Sequence, residues 1–254
     1  MVLAIDIGNT NTFIGAFEDE RILFVERVST SLTATDLEYA LLIREALLVH
    51  GRETGQVEGA VLSSVVPTVT SNVVKAIKKH TGADTVVVGP GIKTGLSIRI
   101  DDPAQLGSDL VADAVAGINN YPCPQIIVDM GTATTFSVID KEKRYVGTLI
   151  MTGMAISAEA LTSRTSQLPR IAFDRPRSVI GKNTVESMKN GIVYSNVCAI
   201  DGIIERIEDE LGEKCTVIAT GGIASSVADF FKTKIIFDDE LILKGLMMIY
   251  KKNS

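Results

Sequence analysis

The feature that most constrains this chain is a stretch that occurs twice. Residues 5–21 read IDIGNTNTFIGAFEDER, and residues 128–144 read VDMGTATTFSVIDKEKR. An internal repeat of this length, with the same apolar runs around it, predicts two similar structural units. An alignment without gaps pairs Asp6 with Asp129, Gly8 with Gly131, Thr12 with Thr135, Phe13 with Phe136 and Arg21 with Arg144.

Each copy predicts three strands in a meander, followed by helices that alternate with further strands. The expected architecture is α/β, with a five-stranded mixed sheet and covering helices in each half and a cleft between the halves. The turn-rich stretch GINNYPCP separates residues 1–117 from residues 118–254. The predicted strands are 2–7, 12–17, 21–28, 58–65, 85–89, 125–130, 134–140, 144–151, 216–222 and 234–238. The predicted helices are 35–50, with an apolar face of Leu37, Leu41, Leu42, Ala46 and Leu47, then 68–80, 154–166, 184–211 and 239–251.

Composition narrows the choice of partners and compartment. The 254 residues carry 25 Lys plus Arg against 31 Asp plus Glu, a net charge of −6 without a basic cluster, which argues against nucleic acid. Three cysteines without a C-x-x-C pair, and only two histidines, argue against a zinc site and for free thiols.

No apolar run reaches the roughly 18–20 residues that a membrane span needs. Since the opening MVLAID has no basic region, we expect a cytoplasmic protein.

The repeated loops have the composition of phosphate-binding turns. The run Asp6-Ile7-Gly8-Asn9-Thr10-Asn11-Thr12 offers backbone N–H groups, hydroxyls and amides around a glycine. An aspartate at a strand end suits Mg²⁺ held through water, although a polar turn with a local side-chain bond also explains the loop. Its copy is Asp129–Thr135. Another predicted strand ends at Thr220-Gly221-Gly222. The two glycines form either an ordinary strand-to-helix turn or a site where the backbone can closely approach an adenosine.

Two further segments carry candidate site residues. Asp102 is predicted to cap a helix whose apolar stripe includes Leu110, and Asp109 and Asp113 lie four residues apart on another face. Such a pair is usually a solvated face, but an aspartate is also the residue type that accepts a substrate hydroxyl's proton in phosphoryl transfer. We favour Asp109. In GKNTVESMKNG (181–191), Asn183 and Glu186 predict a capped helix start, which is either an ordinary cap or an anion site with Thr184.

These residues together resemble the type III pantothenate kinases, of the actin-like and sugar-kinase superfamily, whose domains are duplicated and ribonuclease-H-like. The resemblance extends over nearly the whole chain in family order. The matching stretches are DIGNTNT (6–12), SSVVP (63–67), GPGIKTGL (89–96), DPAQLGSD (102–109), DMGTATTF (129–136), SAEAL (157–161), QLPRI (167–171), SVIGKNTVESMKNG (178–191), IATGG (218–222) and LKGLMMIY (243–250).

The resemblance implies an ATP-dependent kinase that phosphorylates pantothenate, the first step of coenzyme A synthesis, as a homodimer. ATP and Mg²⁺ would bind at Asp6 to Phe13, with Thr132 contributing from the second copy. Asp109 would be the general base, and Asp129 would hold a monovalent cation, K⁺ or NH₄⁺. The pantothenate site would include Gly107, Ser108, Asp109, Leu110 and Thr184.

The chain departs from the family pattern near the acceptor. Where the family usually has Gly-Ala-Asp-Arg, this chain has Gly107-Ser108-Asp109-Leu110. Many members have a tyrosine at the position of Ile100. The family's Gly-Gly-x-Ile-x-Pro-Gly corresponds to GTLIMTG (147–153) in this chain. Arginine would clamp an anionic substrate, whereas leucine has no donor. The loss of such a bond weakens binding roughly 10- to 100-fold. The alternatives are a kinase for another small hydroxyl compound and a non-catalytic nucleotide-binding regulatory paralogue.

Overall fold

The computed structural model describes residues 1–172 and 175–254. These residues form two compact units, each with its own hydrophobic core. The units differ from halves divided at 117/118 in three places. Residues 118–119 and 240–254 group with the first unit, and residues 97–100 group with the second. Unit 1 comprises Met1–Leu96, Asp101–Asn119 and Glu240–Ser254, and unit 2 comprises Ser97–Ile100 and Asn120–Asp239.

The sheet of unit 1 has the five strands that the sequence predicts. They are β1 (Val2–Ile7), β2 (Asn11–Glu18), β3 (Arg21–Ser29), β4 (Gly59–Ser64) and β5 (Thr85–Val87). Their spatial order is β3-β2-β1-β4-β5, with β1 antiparallel to β2 and parallel to β4. Five of the six residues of β1 are buried and Asp6 is half-buried, as expected for a central strand covered on both faces.

The sheet of unit 2 has six strands, so the prediction of five was wrong here. The additional strand is Ser97–Ile98, which pairs in parallel with residues 144 and 145. Two residues are too few to show strand periodicity in a sequence. The strands are β6 (Ser97–Ile98), β7 (Gln125–Met130), β8 (Ala133–Ile139), β9 (Arg144–Thr152), β10 (Thr216–Thr220) and β11 (Ile236–Phe237), in the order β11-β10-β7-β8-β9-β6.

The α-helices among the described residues are close to their predicted bounds, except for the helix that follows Asp102. They are α1 (Asp36–Val49), α2 (Pro67–Thr81), α3 (Ser108–Asn120), α4 (Met154–Arg164), α5 (Thr184–Leu211) and α6 (Leu241–Asn253). The Asp102 side chain accepts a hydrogen bond from Ala104 N and caps a short 3-10 helix over Pro103–Gln105. The helix α3 begins only at Ser108, so the prediction that Asp102 caps it was wrong.

The face of α1 that is buried differs from the face that the sequence predicts, by a rotation about the helix axis. Leu37 and Leu41 are 50% and 38% exposed, whereas Tyr39 and Ile43 are 2% exposed. Leucines occur all round this helix, so apolar spacing does not define one face. The observed buried face consists of Tyr39, Ala40, Ile43, Ala46 and Leu47, and the Tyr39 hydroxyl donates to the Ser31 carbonyl oxygen at 3.0 Å.

The helix α6 packs against β1 and β4 of unit 1, although it follows all of unit 2 in sequence. Glycines make this close packing possible. A Cβ at Gly59 would overlap the Tyr250 hydroxyl, and a Cβ at Gly245 would overlap the carbonyl oxygen of Ala112 in α3. The side chain of Leu243 also lies 3.0 Å from the position of a Cβ at Gly15.

The two copies of the repeat share a fold but not the gapless register. Asp6 is opposite Phe13 in the first copy, whereas Asp129 is opposite Thr135 in the second. The first turn of the second copy is one residue shorter: Gly8 N donates to Asn11 O, but Gly131 N donates to Ala133 O. The structure therefore equates Phe13 with Thr135, and the sequence pairings of Thr12 with Thr135 and of Phe13 with Phe136 were wrong.

The second turn of each copy restores the register. It has two residues between Glu18 and Arg21 in the first copy, and three between Asp140 and Arg144 in the second. Both copies have a bulge at the same place, between Ala16 and Phe17 and between Val138 and Ile139. The middle strand of the repeat has thus shifted by one residue while its neighbours kept their correspondence. A shift of one residue moves every side chain to the other face of a strand.

Candidate active site

The first repeated loop is held by a threonine that sequence reasoning missed. Thr30 Oγ1 donates to Gly8 O at 2.8 Å and lies 2.9 Å from Thr12 Oγ1, and Thr30 N donates to Thr10 O at 2.9 Å. These three bonds fix the backbone on both sides of the turn. The only sequence signal for Thr30 is its place one residue beyond β3, and its role depends on strand pairing that the sequence does not show.

The residues of the Asp6–Phe13 loop differ in what they expose. Ile7 is fully buried, and Thr12 is 1% exposed with its hydroxyl engaged by Thr30, so both support the turn from below. Asn9 and Thr10 are exposed, and Asp6, Gly8, Asn11 and Phe13 are half-buried. The atoms that a ligand can reach are therefore those of the turn itself and of the Asp6 carboxylate at the end of β1.

Ser108 joins the start of α3 to the end of β4. Its Oγ lies 3.0 Å from Ser63 Oγ, accepts from Ser64 N at 3.0 Å and lies 3.2 Å from Ser64 O. Ser63 is the Cα partner of Asp6 in the parallel β1–β4 pair. These contacts bring the predicted base Asp109 and the predicted phosphate loop to the same edge of the sheet in unit 1. Carboxyl ends of parallel strands are where α/β folds bind ligands.

Asp109 lies in the first turn of α3, with an environment that favours its neutral form. Burial raises the pKa of its carboxyl, and the backbone N–H groups of Leu110 and Asp109 partly oppose that rise. Leu110 N donates to Asp109 Oδ1 at 2.9 Å. A Cβ at Gly107 would overlap that same oxygen, so glycine is required there for this carboxylate position. A carboxyl with a raised pKa is closer to the range in which it can take a proton.

Two of the positions where the chain departs from the family pattern, Leu110 and Ile100, have apolar side chains. Leu110 is 8% exposed, and Ile100 is half-buried in the segment that groups with unit 2.

Unit 2 contains a second cluster around Asp129, at the end of β7. Asp129 is the Cα partner of Thr220 in the parallel β7–β10 pair. Gly221 follows with a φ of +93°, and a Cβ there would lie 2.5 Å from Asp129 Oδ1 and 2.7 Å from Met130 N. A Cβ at Gly153, which precedes α4, would lie 2.5 Å from the carbonyl oxygen of Gly131. Backbone from two other segments therefore packs closely on the Asp129 turn, where Thr132 is exposed.

Thr184 is the exposed first residue of α5 in unit 2. Asn183 Oδ1 accepts from Glu186 N at 2.9 Å, and Glu186 Oε2 accepts from Lys182 N at 3.1 Å. The Lys182 N–H is the main reason that the pKa of Glu186 is lowered. The helix cap that the sequence predicts is therefore present, with Thr184 exposed beside it.

Two kinds of feature are absent from residues 1–172 and 175–254. Within those ranges, no group of three or more His, Cys, Asp or Glu side chains is arranged to hold a metal ion. Nor does any helix there combine the length and the apolar character that crossing a bilayer requires.

The architecture defines a fold class first: each unit has a mixed sheet in which a buried strand with aspartate as its penultimate residue, Asp6 in β1 and Asp129 in β7, leads into a hairpin, and this is the fold of actin-like ATPases and sugar kinases. Among solved structures, the ROK hexokinase from Thermus thermophilus is 12% identical, with a TM-score of 0.51, covering 99% of this chain and 98% of that one. The activator of 2-hydroxyisocaproyl-CoA dehydratase from Clostridium difficile, with bound ADPNP, is 14% identical with a TM-score of 0.53, covering 99% and 94%. These likenesses show the fold.

Sequence comparison gives the family. The type III pantothenate kinase family model matches residues 2–206. The type III pantothenate kinase of Bacillus cytotoxicus is 43% identical over 254 residues, which is 100% of this chain and 97% of that protein. That of Halalkalibacterium halodurans is 42% identical over 253 residues, with 100% of both covered. The chain belongs to the type III pantothenate kinase family.

Proposed function

We propose that this chain transfers the γ-phosphoryl group of ATP to the primary hydroxyl of pantothenate, giving 4'-phosphopantothenate for coenzyme A synthesis. The observation that carries the mechanism is the position of Asp109, a half-buried carboxyl whose pKa is raised by burial. Its neighbour Ser108 bonds to Ser63, which is paired with Asp6 near the end of β1. Asp109 takes the hydroxyl proton as the substrate oxygen bonds to the γ-phosphorus. The bond from that phosphorus to the bridging oxygen breaks, and ADP leaves.

ATP is assigned to the loop Asp6–Phe13, with Mg²⁺ held through water by Asp6, and also to Thr132, Gly221 and Gly222 in unit 2. The exposed backbone and side chains of Asn9 and Thr10 fit phosphate oxygens, and a carboxylate at a strand end fits a hard cation. Asp129 is assigned a monovalent cation, K⁺ or NH₄⁺. Its carboxylate faces closely packed backbone of Gly221, which leaves little room for a larger group on that side.

Thr30 provides a direct test of the ATP loop. Replacing Thr30 by valine removes the donor to Gly8 O and the partner of Thr12, so we expect the KM for ATP to rise about 5- to 30-fold, corresponding to about 1–2 kcal/mol. The KM for pantothenate should change little. Steady-state kinetics and calorimetric ATP binding measure the effect.

Two matched variants control this test. Thr30→Ser keeps the hydroxyl and should retain most of the native affinity. Thr33→Val removes a nearby exposed hydroxyl and should behave like the native chain. Equal KM values for ATP in Thr30→Val and Thr33→Val would contradict the assignment of this loop to ATP.

The pantothenate end is assigned to Gly107, Ser108, Asp109, Leu110 and Thr184. Ser108 is the weakest member of that set, because its hydroxyl already bonds within unit 1. Leu110 supports a second candidate function, the phosphorylation of another small hydroxyl compound, since a buried leucine provides no donor for a carboxylate.

One assay separates the candidates. ATP turnover with pantothenate should be measured beside turnover with its alcohol analogue that lacks the carboxylate and with other small alcohols. Pantothenate-dependent ADP release above that of the uncharged analogue supports the first proposal. Turnover that prefers an uncharged acceptor supports the second, and no turnover with pantothenate contradicts the first.

The proposal extends to assembly and compartment. We propose a homodimer, supported by large apolar side chains that unit 2 exposes over residues 149–185; those above 40% exposure are Ile150, Val179, Ile180 and Val185. Light scattering of the purified chain would give its mass in solution. The three cysteines are free thiols, which fits the proposed cytoplasmic location.

A further inference from the structure

A row of four side chains crosses the sheet of unit 2 at Asp129. Asp129 is paired with Thr220 on β10 and with Thr135 on β8, and Thr135 is paired with Ile150 on β9. Side chains directly opposite one another on neighbouring strands project from the same face. The Asp129 carboxylate is therefore flanked by a threonine on each side, which sequence alignment did not place there.

The hydroxyl of Thr135 lacks a hydrogen-bond partner among the described residues. Its Oγ1 is buried from solvent, and no described donor or acceptor lies within hydrogen-bonding geometry. A buried hydroxyl without a partner costs free energy, so each one calls for a physical reason such as a bound ion. The orphaned oxygen beside a carboxylate fits a cation that both would contact.

The corresponding row of unit 1 does not offer these oxygens. It consists of Ser63, Asp6, Phe13 and Arg27. Phe13 occupies the position of Thr135, and the Ser63 hydroxyl is 3.0 Å from Ser108 Oγ. The difference follows from the first turn, because its one extra residue in unit 1 places a ring rather than a hydroxyl opposite the aspartate.

We propose that Thr135 Oγ1 is a ligand of the monovalent cation at Asp129, and that the shifted register of β8 restricts this cation to unit 2. The inference deepens the proposed function and rests on the cation assigned to Asp129. A threonine hydroxyl can offer a lone pair to K⁺ or accept a hydrogen bond from NH₄⁺. Replacement of hydration oxygens by protein oxygens is how proteins bind K⁺. Valine keeps the shape of threonine and removes this oxygen.

The test measures cation binding without turnover. Melting temperature is recorded as KCl replaces choline chloride at constant ionic strength, in the absence of pantothenate, and Tl⁺ binding is followed by thallium NMR as a second readout. We expect the half-saturating K⁺ concentration of Thr135→Val to rise about 10-fold or more. Thr135→Ser should titrate nearly as the native chain does. Thr148→Val, an exposed threonine on β9, should match the native chain.

Thr135→Ala covers the case in which the valine variant does not fold. A native K⁺ titration in a folded Thr135→Val or Thr135→Ala variant overturns the inference, and so does the lack of any K⁺ effect on the native chain. Pantothenate turnover is assayed separately. If pantothenate is not turned over but the K⁺ effect depends on Thr135, only the proposed acceptor is overturned. If pantothenate is turned over normally but the K⁺ effect does not depend on Thr135, only this inference is overturned.

Discussion

Replacing Asp109 by asparagine is expected to lower kcat about 10²- to 10⁴-fold, because the amide cannot take the acceptor's proton. The same change should stabilise the fold at neutral and alkaline pH. Burial raises the pKa of Asp109, so the folded chain binds this proton more tightly than the unfolded chain does. The ionised carboxylate therefore destabilises the native state above its folded pKa, and this penalty disappears below the unfolded pKa. Asparagine is neutral at every pH and keeps an oxygen for Leu110 N.

Melting temperatures of native and Asp109→Asn chains should thus differ most at alkaline pH and converge in acid. Asp101→Asn, an exposed aspartate in the preceding loop, is the control and should show little change in either kcat or melting temperature. Native turnover in Asp109→Asn would contradict the base assignment. A variant that is less stable than the native chain at every pH would instead show that the carboxylate is favoured by its contacts.

Replacing Gly221 by alanine is expected to destabilise unit 2 strongly. The residue has a φ of +93°, which alanine rarely adopts, and the new Cβ would lie 2.5 Å from Asp129 Oδ1 and 2.7 Å from Met130 backbone atoms. Strain and overlap together correspond to about 2–4 kcal/mol. The variant should unfold at lower denaturant concentration, and its K⁺ affinity should fall because the Asp129 carboxylate must move.

Gly202→Ala provides the matched control for this glycine. Gly202 lies inside α5, with nothing within 4 Å of the position of a Cβ. Alanine there should stabilise the chain by about 0.5–1 kcal/mol through its better helix propensity. Denaturant titration of the two variants measures the contrast. A Gly221→Ala chain as stable as the native one would contradict the close approach of β10 to the Asp129 turn.

The candidate site residues that could be predicted from sequence belong to local patterns. Asp6 and Asp129 are each the penultimate residue of an apolar strand that precedes a glycine-containing turn, and the start of α5 at Thr184 follows from the Asn183 cap. Such signals depend on neighbours a few residues away, and strand ends and helix caps are recognisable at that range.

The rest depends on contacts between distant segments. Thr30 acts on a loop 22 residues before it, and Ser108 bonds to Ser63 across 45 residues. The register of β8 depends on the length of the turn before it, which is one residue shorter than the corresponding turn before β2. The turn after β8 is one residue longer than the turn after β2, so an alignment without gaps does not reveal the difference. The buried face of α1 similarly includes Tyr39, whose hydroxyl bonds to the Ser31 carbonyl oxygen, and apolar spacing does not report such a contact.

The place of α6 has a consequence for how the chain is made. Residues 241–253 pack against β1 and β4, with Tyr250 against Gly59 and Leu243 against Gly15. The ribosome therefore delivers the first strands of unit 1 long before the helix that covers them, and all of unit 2 is synthesised in the interval. Domains often fold in order as they emerge, but here unit 1 can be completed only after unit 2 has been translated. Until then, the apolar surface that α6 covers is open to solvent or to chaperones on the nascent chain.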